Sequence, residues 1–155
     1  THIKQRPGSS GEMRAVTSDD ESNMLLRFHD SELTNDATGL VSVSMTEYPK
    51  YKNRLEFYGS AGAIRIDHIG EVYLAKAGDD DWKQVDVPLT ANIPGVADTG
   101  FARGFMDFAP HIVDAIRTGT AKIEHAATFD DGLRVQRVLD AARDSNASRR
   151  SIVIC

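Results

Sequence analysis

The segment 54–67, RLEFYGSAGAIRID, limits the fold of this chain more than any other. Two short apolar runs flank Gly59-Ser60-Ala61-Gly62, and both glycines can adopt positive φ values, so the chain can reverse tightly within one sheet. The segment therefore predicts a β-hairpin with strands at 54–58 and 63–67. Similar runs predict further strands at 12–17, 23–29, 39–46, 71–75 and 82–87.

The hydrophobic period changes from two to 3.6 after residue 100. An apolar stripe recurs at helical spacing and predicts a first helix: Phe101, Phe105, Phe108, Ile112 and Ile116. Gly119 stands where a left-handed C-cap would end this helix, and Pro110 predicts a kink within it. A second helix begins at Thr128-Phe129-Asp130-Asp131, which resembles a capping box with acids at the positive end of the helix dipole. Residues 151–154 are expected to form a closing strand.

Together these patterns predict an α+β fold, an open-faced, predominantly antiparallel β-sheet with two C-terminal helices packed on one face. Residues 1–11 are polar and rich in glycine and proline, so they indicate a linker or truncated junction. Residues 12–155 are expected to form a single α+β domain, long enough to fold alone.

Charge and composition exclude several partner classes. A net charge of −5 argues against nucleic acid, because phosphate binding needs a dense surface of lysine and arginine. No apolar run approaches the roughly 20 residues that span a bilayer, so no membrane contact is expected. Cys155 is the only cysteine and cannot form an internal disulfide, which favours a cytoplasmic location.

Sequence motifs for catalysis are weak. The five histidines lack the paired spacing of a zinc site, so no metal is expected. His111 shares a helix face with Asp107 and Asp114, and a carboxylate there could orient its imidazole for acid–base chemistry in a hydrolase. The same pattern is typical of a solvated helix face, which is the favoured interpretation, since the sequence supplies neither a nucleophile nor an oxyanion site.

The loop that follows residue 46 carries the candidate substrate-binding residues. Tyr48, Lys50 and Tyr51 lie between two predicted strands and offer phenol hydroxyls and an ammonium group. An ordinary polar surface connection is the alternative interpretation.

The segment 54–67 resembles the strand–Gly-[ST]-x-Gly–strand hairpin in the C-terminal domain of the Gfo/Idh/MocA oxidoreductases, the family of glucose–fructose oxidoreductase and inositol dehydrogenase. The end of the chain is similar to the same family's ending, a helix that closes on a glycine, a short loop, a second helix and a last strand. The matching residues are Ala115, Ile116, Gly119, Thr128, Asp131, Gly132, Leu133, Ala142 and Ser145. The resemblance extends over about residues 39–154.

The resemblance implies the C-terminal substrate-binding and oligomerisation domain of an NAD(P)-dependent oxidoreductase that acts on a sugar, polyol or similar hydroxylated molecule. NAD or NADP would be bound by a missing N-terminal Rossmann domain, with no cofactor-binding residue in this fragment. The family's catalytic residues would lie upstream of Thr1, so no catalytic residue is assigned here and the fragment alone is expected to be inactive. Expected partners are its own Rossmann domain and a second copy in a homo-oligomer, such as a dimer, formed through the sheet face. The alternative is a non-enzymatic small-ligand-binding or dimerisation module of the same fold.

Overall fold

The computed structural model describes residues 3–46, 49, 51–88, 90–91 and 93–154. Among the described residues the strands come first and the helices follow, in this order: β1 Gln5–Pro7, β2 Met13–Ala15, β3 Glu21–Arg27, β4 Thr38–Ser44, β5 Leu55–Gly59, β6 Gly62–Ile66, β7 Val72–Lys76, β8 Lys83–Val85, α1 Gly100–Thr118 and α2 Phe129–Ser148. All the strand pairs are antiparallel, so the predicted α+β class with antiparallel pairing is confirmed.

The chain divides into two compact units, the first formed by Thr1–Tyr51 with Phe129–Cys155 and the second by Lys52–Thr128. In place of the one open sheet that was predicted, the described strands form two two-stranded sheets and one four-stranded sheet. A period of two in the sequence marks the two faces of a strand, but it does not say which strands pair across a long connection. That is why the individual strands were predicted and their grouping was not.

The first unit contains the hairpin β1–β2, the hairpin β3–β4 and helix α2. β1 lies within the segment 1–11 that composition indicated as a linker, and it pairs with β2 from Gln5 opposite Ala15 to Pro7 opposite Met13. α2 carries Asp130 and Asp131 in its first turn, as predicted.

The closing strand predicted at 151–154 is wrong, because these residues have no strand conformation in the structure. Arg149 has a positive φ of 58° and its backbone N–H donates to the Ser145 carbonyl, so the chain turns away as α2 ends. β-branched residues form a strand only where a neighbouring strand offers its backbone, and none of the described strands pairs with this segment.

The second unit contains a four-stranded sheet in the order β5-β6-β7-β8, followed by α1. The predicted hairpin at 54–67 is confirmed, with Gly59 opposite Gly62 at the turn. Of these two glycines, Gly62 has the positive φ, 153°. A Cβ atom at Gly62 would lie 2.2 Å from the carbonyl oxygen of Ala75 on β7, so glycine is required there by the close approach of the two strands.

Side chains alternate across this sheet. One row across the four strands is polar and aromatic and the next is aliphatic: Glu56, Arg65, Tyr73 and Gln84, then Leu55, Ile66, Val72 and Val85. A strict alternation of this kind presents one aliphatic and one mixed face.

Helix α1 has the caps that its sequence indicates. Thr99 is the N-cap, and its hydroxyl accepts a hydrogen bond from the Ala102 backbone N–H at 3.2 Å. Gly119 is the C-cap in the left-handed conformation, with φ 68° and ψ 21°, as predicted. The helix continues through Pro110 to Thr118.

The apolar stripe of α1 is exposed rather than covered by the sheet of its own unit. Phe101, Phe105 and Ile116 expose 77%, 64% and 76% of their surface. Within the described part of the chain no apolar side chain is fully buried, and Asp20, whose carboxylate accepts a hydrogen bond from the Ile3 backbone N–H, is the buried polar residue. The described residues therefore retain large apolar surfaces that a partner can cover.

Candidate functional site

A cleft of about 330 Å³ lies in the second unit, where the first two turns of α1 approach the β6–β7 turn. Its walls come from four places in the sequence, each contributing polar or backbone groups. They are Asn53 before β5, residues 67–70 of the β6–β7 turn, Thr90, and residues 100–107 of α1. The cleft thus combines segments that are well separated in the chain.

The β6–β7 turn is held by its own backbone. The Gly70 N–H donates to the Asp67 carbonyl at 3.0 Å, and the Asp67 N–H donates to the Glu71 carbonyl at 2.9 Å. Gly70 has a positive φ of 97°, a conformation that glycine adopts without steric cost. The turn therefore presents a fixed edge to the helix.

Gly100 lets α1 approach that edge closely. A Cβ atom at this position would lie 2.0 Å from the His68 carbonyl oxygen, a distance that no side chain tolerates. Since Gly100 is the first residue of α1 and Thr99 caps it, the helix begins in direct contact with the turn. The absence of one side chain thus positions the helical wall of the cleft.

Arg103 forms a rigid part of that wall. Its Nε lies 2.6 Å from Asp98 Oδ1 and its Nη2 lies 2.8 Å from Asp98 Oδ2, a bidentate pair, and its Nη1 donates to the Thr90 carbonyl at 3.4 Å. The hydrogen bond from Arg103 holds the pKa of Asp98 below its usual value, with a smaller contribution from His68. The same pair raises the pKa of Arg103. Arg103 therefore stays charged, and Asp98 already occupies two of its guanidinium nitrogens.

Asp67 is likewise compensated. Its Oδ1 lies 3.3 Å from Arg54 Nε and its Oδ2 lies 3.5 Å from Arg65 Nε. Asp107, by contrast, is exposed on α1 and forms no ion pair or hydrogen bond with the described residues. It is the carboxylate of the cleft that a ligand can reach.

A second polar cluster lies on the mixed face of the same sheet. The Arg65 guanidinium carbon lies 4.1 Å from the Tyr73 ring centroid and 5.1 Å from that of Trp82. Tyr58 meets Trp82 edge-on at 6.4 Å, and its hydroxyl donates to Glu56 Oε2 at 2.9 Å. That hydrogen bond raises the pKa of Tyr58, because the neutral phenol is the donor. The aromatic faces are occupied by Arg65, so this cluster stabilises the sheet.

Of the three substrate-binding residues that the sequence suggests, the structure describes one. Tyr51 lies at the end of a segment of the first unit and is 64% exposed. Tyr48 and Lys50 lie outside the described residues. Their proposed contact with substrate stays a prediction.

His111 is exposed on α1, and among the described residues no hydrogen bond or ion pair joins it to Asp107 or Asp114. The described part of the chain also contains no group of three or more histidine, cysteine, aspartate or glutamate side chains that could hold a metal ion. None of its helices has the length and apolar character to cross a membrane.

Sequence reasoning missed the cleft. The predicted strand at 63–67 ends at Asp67, and no pattern in the sequence connects that end with Gly100. One local signal was available, since a threonine directly before an apolar helical stripe, here Thr99, indicates an N-cap and places the helix start at Gly100. The contact between Gly100 and His68 spans the whole β7–β8 hairpin, so only the folded structure reveals it.

Comparison with known proteins shows that the chain is similar to proteins of the same name from two frog species. The chain is 30% identical over 161 residues to glucose-fructose oxidoreductase domain-containing protein 2 of Xenopus laevis, and 28% identical over 160 residues to the protein of the same name in Xenopus tropicalis. Each match covers 96% of this chain and 40% of the relative, in its C-terminal part. No protein-family model and no solved structure matches the chain.

Proposed function

We propose, from the premise that this chain is a relative of the glucose-fructose oxidoreductase domain-containing proteins, that it is the C-terminal substrate-binding and oligomerisation domain of an NAD(P)-dependent oxidoreductase. The parent enzyme would oxidise a CH–OH group of a sugar, polyol or similar hydroxylated molecule, as a cytoplasmic dehydrogenase. The observation that carries the proposal is the extent of the match, which takes in nearly all of this chain and 40% of each relative.

NAD or NADP would be bound outside this fragment, by an N-terminal Rossmann domain of the parent. A dinucleotide pyrophosphate is held where a glycine-rich turn leads from a strand into a helix N-terminus. The turn at Gly59–Gly62 leads into β6 instead, so this turn does not fit the pyrophosphate. This chain's part in the reaction is therefore to hold and orient substrate.

The exposed apolar surfaces support the proposed partners. Leu55 and Phe57 on β5 are more than half exposed, and so are Phe101 and Phe105 on α1. Large apolar side chains left exposed in groups mark interaction sites in folded proteins. We assign these surfaces to the Rossmann domain of the parent and to a second copy, as a homo-oligomer formed through the sheet face.

The test uses the natural gene product that contains this chain. Purified protein is assayed for reduction of NAD and of NADP with a panel of sugars and polyols, following the absorbance of the reduced nicotinamide. We expect turnover with at least one pair, and none from residues 1–155 alone. Turnover by the 155-residue chain contradicts the proposal. So does a failure of both the natural gene product and the 155-residue chain to bind nicotinamide nucleotide.

The proposed substrate contacts are tested in the active protein. Alanine substitution of Tyr48, Lys50 or Tyr51 is expected to raise KM with little change in kcat. The reason is that losing a contact made in both the ground state and the transition state weakens the binding of both equally. Leu33→Ala is a matched control, since Leu33, like Tyr51, is exposed and lies outside the strands and helices. Kinetics equal to those of the control would remove a residue from the proposed site.

A non-enzymatic module of the same fold is the second candidate. It would bind a small ligand or only dimerise. A natural gene product that binds ligand or self-associates, yet neither binds nor reduces nicotinamide, would favour this alternative.

A further inference from the structure

We propose that the cleft at the start of α1 binds a small hydroxylated molecule that carries an ammonium group, with the ammonium against Asp107. The binding step needs no nicotinamide. The inference goes beyond the proposed oxidoreductase function, and either can fail without the other.

The size of the cleft suits a single sugar-sized molecule. Its volume of about 330 Å³ lies at the lower end of the range for small-molecule pockets, roughly 300–1,000 Å³. Gly70, Gly100 and Gly104 line it without side chains, and the space that a Cβ of Gly104 would enter is open. A ligand can therefore approach the backbone of the first turns of α1.

The charges around the cleft favour a cation. Each guanidinium beside it already faces a carboxylate: Arg54 and Arg65 face Asp67, and Arg103 faces Asp98. Two more carboxylates lie near these pairs, so carboxylates outnumber guanidiniums around the cleft. Glu56 forms an ion pair with Arg54, and the negative charge of Glu71 contributes to the raised pKa of Arg103. Asp107, which has no ion-pair partner among the described residues, is then the natural counter-ion for an ammonium group.

The remaining lining groups suit a hydroxylated ring. Asn53 offers both an amide donor and an acceptor, and it forms no hydrogen bond with the described residues. Phe101 lines the same cleft and exposes 77% of its surface, which provides an aromatic face for the apolar side of a ring or for the cation itself. An anionic sugar, in contrast, would meet Asp107 and find no unpaired guanidinium.

The experiment compares three closely matched probes in the absence of nicotinamide: glucosamine, glucose and N-acetylglucosamine. Binding to the natural gene product is measured by isothermal titration calorimetry and by saturation-transfer NMR. We expect glucosamine to bind about two- to fivefold more tightly than the two neutral sugars, because they lack the ammonium group and an ion pair to an exposed carboxylate such as Asp107 adds a few-fold in affinity. Asp107→Asn is expected to remove this preference. Asp114→Asn, an exposed carboxylate on the same helix that does not line the cleft, is expected to retain it.

A steric variant shows whether binding takes place in this cleft. Gly104→Leu places a side chain on its wall and is expected to weaken glucosamine binding by tenfold or more. Gly132→Leu is the control, since Gly132 is also a helical glycine whose Cβ would meet open space, and both variants gain helix propensity.

Three outcomes would overturn the inference: no binding of glucosamine, equal binding of glucosamine and glucose, or equal binding by the Gly104→Leu and Gly132→Leu variants. None of these outcomes bears on NAD(P) reduction, which is assayed separately. A protein that turns over a polyol but ignores glucosamine would keep the proposed function and lose this site.

Discussion

Replacing Gly62 by alanine should destabilise the β5–β8 sheet by an amount that the structure allows us to work out. The added Cβ would lie 2.2 Å from the Ala75 carbonyl oxygen, and ordinary van der Waals contact begins at 3.4 Å, so the two strands must separate by about 1.2 Å. Overpacking of this kind costs roughly 1–3 kcal/mol, and the positive φ of 153° adds about 1–3 kcal/mol for a residue with a side chain. We expect a total loss of about 2–6 kcal/mol in the free energy of unfolding.

The hairpin provides its own control at Gly59. A Cβ there would meet its nearest neighbour, the Gly62 carbonyl oxygen, at 3.8 Å, which is ordinary contact. Gly59 also has no positive φ. Gly59→Ala should therefore be neutral or slightly stabilising, by about 0.4–1 kcal/mol, because alanine reduces the conformational entropy of the unfolded chain.

Urea unfolding followed by the fluorescence of Trp82 measures both variants. Trp82 is the only tryptophan in the chain, and it contacts Arg65 and Tyr58 of the same sheet, so its emission reports on this unit. The expected loss for Gly62→Ala is a substantial fraction of a total stability of about 5–15 kcal/mol, so the experiment can detect it. If Gly62→Ala unfolds at the same urea concentration as Gly59→Ala, the close approach of β6 to β7 does not require glycine at position 62.

Three further predictions concern single hydrogen bonds in the second unit. Thr99→Ala should lower the free energy of unfolding by about 0.5–2 kcal/mol through loss of the α1 N-cap, whereas Thr99→Ser should retain it; equal losses in urea unfolding would refute the cap. The pKa of Asp98 is lowered by Arg103, so the pair's contribution to stability should be complete above the carboxyl's ordinary pKa of about 3.9 and be lost as the pH falls below it. In unfolding measured against pH, Asp98→Asn should be less stable above that pKa and show a smaller loss on acidification; an unchanged pH profile would contradict the pairing. The pKa of Tyr58 should lie above 10.0 in an ultraviolet phenol titration and fall in Glu56→Gln, which removes the carboxylate acceptor; a titration identical in the two proteins would exclude the hydrogen bond.

Local features of the fold were predictable because short-range sequence determines them. The turn at 59–62 follows from two glycines between apolar runs, and the end of α1 follows from Gly119 after a stripe of period 3.6. Each prediction needs only interactions among residues close in sequence. The relationship to the glucose-fructose oxidoreductase domain-containing proteins, visible in the same segments, is confirmed by the comparisons.

Features that depend on distant contacts were not predictable. The grouping of strands into separate sheets depends on which backbone edges meet across long connections, and a period of two carries no such information. The segment 151–154 has β-branched residues but no neighbouring strand, so propensity alone gave the wrong structure. The cleft depends on Gly100 and His68, which are brought together by the whole β7–β8 hairpin.

The exposed apolar stripe of α1 supports the proposed partner interface, because burying it against a partner would be favourable in free energy. Fully burying one large apolar side chain contributes about 1.5–3 kcal/mol, so the exposed parts of Phe101, Phe105 and Ile116 together represent roughly 3–7 kcal/mol that remains unrealised while they face water. That amount is comparable with the whole stability of a typical domain. The same stripe begins with Phe101 at the wall of the cleft, so a partner that covers the stripe would lie beside the cleft.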